Sequence, residues 1–100
     1  MSEKFYVKIH VSARGKVVAI CDEELLGKKF ENGEKQLDIK EDFYKGELLS
    51  KEDVIKIIKS ESNINLVGRR IIEICINEGM INEEDVLEVK GVPYAMIFEI

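Results

Sequence analysis

The side chains best suited to chemistry are few and scattered: His10 is the single histidine, and Cys21 and Cys75 are the two cysteines. Nucleophilic catalysis would have to use His10 as its base, yet no Gly-x-Ser-x-Gly elbow or comparable motif supplies a nucleophile. Two distant cysteines and one histidine match no zinc spacing. Asp22, Glu23 and Glu24 are contiguous, where a calcium loop needs alternating ligands, and they suit the first turn of a helix, whose positive pole they complement. Gly15, Gly27 and Gly33 lie too far apart to cradle a phosphate together, so there is neither a P-loop nor a dinucleotide fingerprint. The expectation is a protein with no catalytic residues, no metal and no cofactor, hence not an enzyme.

What remains is binding chemistry. Lys28 and Lys29 precede Phe30, and Tyr44 precedes Lys45, so cations stand beside rings, the pairing that single-stranded RNA binders use for phosphate contact and base stacking. Lysine stems lying over buried rings are the competing reading. Arg69 is expected on the exposed side of a helix, one turn from Asn65 and one turn from Glu73, where a salt bridge to Glu73 competes with ligand binding. At the expected start of that helix, Ser62, Asn63 and Asn65 offer polar side chains beside unpaired backbone N–H groups, a candidate phosphate contact against a background of plain N-capping.

The elements that must position these groups follow from periodicity. Phe5, Val7, Ile9 and Val11 alternate with Tyr6, Lys8 and His10, the period of a half-buried strand. The turn Ser12 to Gly15 and the β-branched run Lys16 to Cys21 complete an antiparallel hairpin. Asp22 to Lys29 is expected as a helical turn and Gln36 to Ile39 as a short strand, followed by a loop through Phe43 to Gly46. Ser50 followed by Asp53 forms a capping box ahead of a helix over Lys51 to Ser60. Ile64, Val67, Ile71, Ile74 and Cys75 form one helical stripe, so a second, long helix is expected from Ser62 or Asn63 to Gly79. Gly68 lies inside that stripe, where it implies a close approach by another backbone. Asp85 to Lys90 and Tyr94 to Ile100 form a second hairpin around Gly91-Val92-Pro93. The expected fold is α+β, a single small domain over residues 1–100, with about five short strands in two hairpins and two main helices packed on the sheet.

Composition bounds the rest. With 45% hydrophobic and 35% charged residues, 100 residues close one core. The net charge of -5 argues against coating duplex nucleic acid by bulk electrostatics. Residues 1–45 balance nine cations against nine acids, and residues 46–100 carry six against eleven, so a basic face would draw on the first half. No apolar run approaches the roughly 20 residues that span a bilayer, and both cysteines sit among apolar neighbours. Together these point to a cytoplasmic protein with reduced thiols and no membrane partner.

Four segments in order, Cys21 to Phe30, Phe43 to Glu47, Asn65 to Gly68 and Gly91 to Ala95, resemble the archaeal family called domain of unknown function 424. The likeness covers nearly the whole chain. Tyr94 and Met96 stand where that family's pattern leads one to expect His and Gln. The resemblance implies a small archaeal cytoplasmic domain of mixed α/β structure, described at most as a candidate RNA-binding protein linked to translation. On that reading Lys28, Lys29, Lys45 and Arg69 contact phosphates of single-stranded or looped RNA, while Tyr44, and with it Tyr94, stacks on bases. The alternative is a protein–protein module, a homodimer or an adaptor for a translation factor, that uses a strand edge or an apolar helix face.

Overall fold

The computed structural model describes residues 3–99. Its frame is the expected hairpin, β1 (Lys4–Ser12) and β2 (Gly15–Asp22), paired antiparallel from Phe5↔Asp22 to Ser12↔Gly15. The Asp22–Lys29 turn contains a 3-10 helix at Glu23–Leu25 and leads into a separate two-stranded hairpin, β3 (Lys29–Asn32) with β4 (Lys35–Asp38). A single-turn helix α1 (Glu41–Tyr44) reaches into the Phe43–Gly46 segment expected as a loop, and a strand β5 (Glu47–Ser50) follows it. Helix α2 (Lys51–Ser60) begins where the capping box placed it, with the Asp53 N–H donating to Ser50 Oγ at 3.3 Å. The chain closes on a 3-10 helix at Glu83–Asp85, then the hairpin of β7 (Leu87–Val89) and β8 (Val92–Phe98).

The long helix expected from Ser62 or Asn63 divides in two. Asn63–Val67 is a strand, β6, and only Arg69–Asn77 is helical, as α3. Ile64 and Leu66 are buried on one face and Val67 on the other, and the spacing of Ile64 and Val67 with Ile71 and Ile74 mimics a helical stripe. Gly68 is the joint between strand and helix, at φ 124° and ψ 149°, a region that essentially only glycine occupies. A Cβ there would collide with the Asp22 carboxylate, so the close neighbour is a side chain and not a second backbone.

The main sheet has the order β5-β1-β2-β6-β8-β7, with β2 and β6 parallel and every other pair antiparallel. Six strands here and two in the separate hairpin exceed the five expected by β3 and β5, to which the sequence assigns no element, and β6, which falls within the expected helix. One face carries the larger core: Phe5, Val7, Val18, Ile20, Ile64 and Leu66 meet Val54 and Ile58 of α2 and Ile71, Ile74 and Cys75 of α3. On the other face Ala19, Cys21 and Val67 meet Ile39 and Tyr44, with Phe30 and Leu37 of the β3–β4 hairpin packed against them. Among the described residues, no helix is long and apolar enough to cross a membrane.

Gly68→Leu should destabilise the fold by about 1–3 kcal/mol, since it combines backbone strain with displacement of Asp22. Chemical denaturation measures this, and an unchanged midpoint would contradict the joint described here.

Candidate functional site

Asp22 ends β2 and Gly68 follows β6, so both lie at the carboxyl ends of the parallel pair, where α3 begins. Asp22 is almost fully buried, and its two oxygens divide the work of capping. Oδ2 accepts from the Arg70 N–H at 2.9 Å and Oδ1 from the Ile71 N–H at 3.0 Å. The Gly68 N–H donates to the Pro93 carbonyl at 2.9 Å, tying β8 to the same joint. Beside it lies a cleft of about 190 Å³, lined by Asp22, Glu24, Leu25, Arg69 and the Gly91–Pro93 turn. Arg70 Nε pairs with Glu24 at 3.4 Å, and Arg69 Nη2 donates to the Gly91 carbonyl at 3.4 Å. Three of the segments that carry the family resemblance therefore meet at one point. The helix pole there, which would otherwise draw an anion, already holds the chain's own carboxylate.

The residues expected to bind RNA are arranged differently from that expectation. Tyr44 is buried against Cys21, Ile39 and Val67, and burial, with Cys21 beside it, pushes its hydroxyl up to about 12. It cannot stack on a base. Lys28 and Lys29 are exposed, and Lys29 pairs with Glu31 at 3.1 Å. Lys45 pairs with Glu41 at 3.7 Å. Arg69 belongs to the cleft and turns to Gly91 instead of Glu73. Asn63 and Asn65 lie on a strand, so they cap no helix and offer no helix-pole phosphate site.

Those two asparagines take part in a different surface. The strand registers align Asn65 between Ala19 and Met96 and place Asn63 opposite Phe98, with Tyr94 opposite Val67, all on the face that carries the smaller core. The β3–β4 hairpin covers this face near Cys21, Val67 and Tyr94. Helix α1 covers it over β1, where Lys8 Nζ donates to the Asp42 carbonyl at 2.6 Å and His10 Nε2 lies 2.8 Å from the Phe43 carbonyl. The His10 and Phe43 rings stack with centroids 4.5 Å apart. Between these covers the face is open: Asn63 and Asn65 are half-buried, while Met96 and Phe98 are 71% and 69% exposed. Reading Asn63 and Asn65 as helix caps concealed this surface, although the alternation of Tyr94, Met96 and Phe98 with Ala95 and Ile97 signals it. A second missed signal is charge. From Lys4 to Cys21 the chain holds Lys4, Lys8, Arg14 and Lys16 and no acid, leaving eleven cations against twenty acids elsewhere.

Two titrations follow from burial. Cys21 and Cys75 are free and buried, and burial pushes both thiols up to about 12. Neither should react with a thiol reagent at neutral pH in the folded protein, whereas two should be counted in denaturant. Burial also pushes the Asp22 carboxyl from 3.8 to about 6, against the downward pull of the Arg70 and Ile71 N–H bonds. Because the folded value exceeds the ordinary one, this contribution to stability is full below about pH 4 and is lost as pH rises through 6. The difference in unfolding free energy between wild type and Asp22→Asn should shift against wild type across that window. A pH-independent difference would contradict it.

The family model described as "Protein of unknown function (DUF424)" matches residues 9–100. A crystal structure of an uncharacterized conserved protein from Methanopyrus kandleri superposes with a TM-score of 0.77 at 26% identity, over 97% of this chain and 95% of that one. No curated protein matches. The chain thus belongs to the DUF424 family of proteins of unknown function.

Proposed function

We propose that the chain is a non-catalytic RNA-binding domain that takes an unpaired RNA segment on the open half of its sheet. The observation that carries this is the alignment of Asn63 and Asn65 with the exposed side chains of Phe98 and Met96. A ring lying on a sheet offers a stacking plane to any base, and neighbouring amides hydrogen-bond base edges, a combination that selects unpaired RNA without a large basic surplus. Arg14, in the turn of the acid-free β1–β2 hairpin, supplies a phosphate contact near Val17, which continues the same face, whereas Lys16 alternates to the other face and pairs with Glu61. Lys28, Lys29, Lys45 and Arg69 are then secondary, and Tyr44 supports the fold. The resemblance adds a cytoplasmic, archaeal and translation-linked setting to this reading.

A protein partner is the second reading, favoured by the same exposed Met96 and Phe98, two large apolar side chains on one face of β8 where it runs beyond the short outer strand β7. Fluorescence anisotropy with short unstructured and hairpin-loop oligoribonucleotides separates the two. Saturable binding is expected, weakened by about 1–3 kcal/mol in Phe98→Ala. Arg14→Ala should flatten the slope of log affinity against log salt by roughly 0.7 for one lost phosphate contact. Binding no stronger than that of an acidic control protein at low salt would overturn the RNA reading, and partner-dependent burial of Phe98 would replace it.

A further inference from the structure

The sheet's first antiparallel pair is unequal. β5 pairs with β1 only from Lys4↔Ser50 to Val7↔Glu47, whereas β1 runs on to Ser12. Among the described residues, the span Lys8–Ser12 therefore has β2 on one side and no strand on the other. In an antiparallel ladder every second residue of such a span turns its N–H and C=O outward. Where β5 starts, Gly46 lies hard against the Val7 carbonyl, and any Cβ at that position would strike it. The lane beyond is a cleft of about 280 Å³ lined by Val7, Ile9, Leu49 and Ile57, with Gly46 and Glu47 at its end. Along it Ile9 is 47% and Val11 77% exposed.

An unpaired backbone beside an apolar cleft is the geometry of strand addition, in which main-chain bonds supply affinity and alternate side chains fill pockets. Charge selects the occupant. Lys8 lies on this edge and Arg14 in the turn at its end, within the acid-free hairpin; the acids near it are Glu47, which lines the cleft, and Asp42, whose carbonyl accepts from Lys8, while Lys16 on the far strand is already paired with Glu61 at 3.3 Å. A second copy docking through the same edge would set these cations against their own counterparts, and like charges across a strand pair destabilise it. We propose that the Lys8–Ser12 edge of β1 takes up an extended acidic peptide segment of another protein as an added strand. Its apolar side chains enter the cleft beside Ile9 and Ile57, and its carboxylates face Lys8 and Arg14. This uses the edge and the α2 side of the sheet and shares only Arg14 with the RNA reading, so the N-methylated peptide and the shifts at residues 8–12 test it independently.

The test titrates the isotopically labelled full chain with a blocked peptide of about eight residues alternating Glu and Val, the length of an ordinary strand. Amide shifts and slowed hydrogen exchange should concentrate at residues 8–12 and 46–49. N-methylation of alternate peptide amides, which keeps charge but removes pairing, should weaken binding at least about tenfold, as should Arg14→Glu in the exposed turn. A peptide with Lys in place of Glu should not bind. Four outcomes overturn the proposal: no shifts at about 1 mM peptide, shifts centred on β8, equal binding of the N-methylated peptide, or concentration-dependent protection of the β1 edge without peptide. The last would assign the edge to a second copy.

Discussion

The structure hinges on the Asp22 carboxylate at the start of α3. A helix leaves its first N–H groups without partners inside the helix. Here a single buried side chain, delivered by the neighbouring parallel strand, accepts from two of them. That arrangement joins β2, β6 and α3 at one point, and it works only because residue 68 has no Cβ to occupy the carboxylate's place. Most acids placed near a helix pole sit at the surface, where screening makes them worth little. This one is enclosed, so losing an oxygen would strand a buried N–H at about 1–3 kcal/mol. The desolvation that raises the Asp22 carboxyl also commits the joint to being structural, since neither oxygen is left free to meet a ligand.

This constraint explains why the sequence was legible in some places and not in others. The β1–β2 and β7–β8 hairpins follow from alternation, a β-branched run and the turns between them, and α2 follows from its capping box, because each of these signals is local. The β6–α3 boundary is not local. Asn63 to Leu66 does alternate as a strand, but Ile64 and Val67 also stand in helical phase with Ile71, Ile74 and Cys75, so the two periods compete over this run. The signal that breaks the run is Gly68, and its meaning depends on Asp22, 46 positions earlier. The same non-locality hid the fate of Tyr44. Adjacency to Lys45 suggested a surface ring, whereas α1 turns that ring under the sheet face and leaves Lys45 outside with Glu41. Neighbours in sequence on a short helix point in different directions, so a cation beside a ring in the chain need not be beside it in space.

Phe43 and Tyr44 also show where the aromatic content is spent. Their rings meet edge-on at 5.1 Å, Phe43 stacks on His10, and Phe30 closes the smaller core. Phe98 alone among the phenylalanines is largely exposed, which makes it informative in a chain with so few rings. Its companions on that face are amides and a thioether, with no lysine between them, so selectivity on this surface would come from shape and hydrogen bonding before charge. A small recognition domain with net charge -5 needs such a surface if its ligand is itself an anion.

The uneven strand lengths connect the fold to both candidate surfaces. β1 and β2 are the longest strands, at 9 and 8 residues, while β5 has 4 and β7 has 3. Any sheet with long inner and short outer strands leaves backbone overhanging, and proteins commonly guard such edges with charge. The two overhangs here differ in sign. β1 extends past β5 between Lys8 and the Arg14 turn, whereas β8 extends past β7 in a stretch followed by Glu99, with Glu83, Glu84 and Asp85 preceding β7. Guarding by like charge suppresses pairing of each edge with itself. It does not suppress pairing with a strand of the opposite sign, so the feature that keeps the chain from stacking edge to edge with itself also defines which segment the β1 edge can accept.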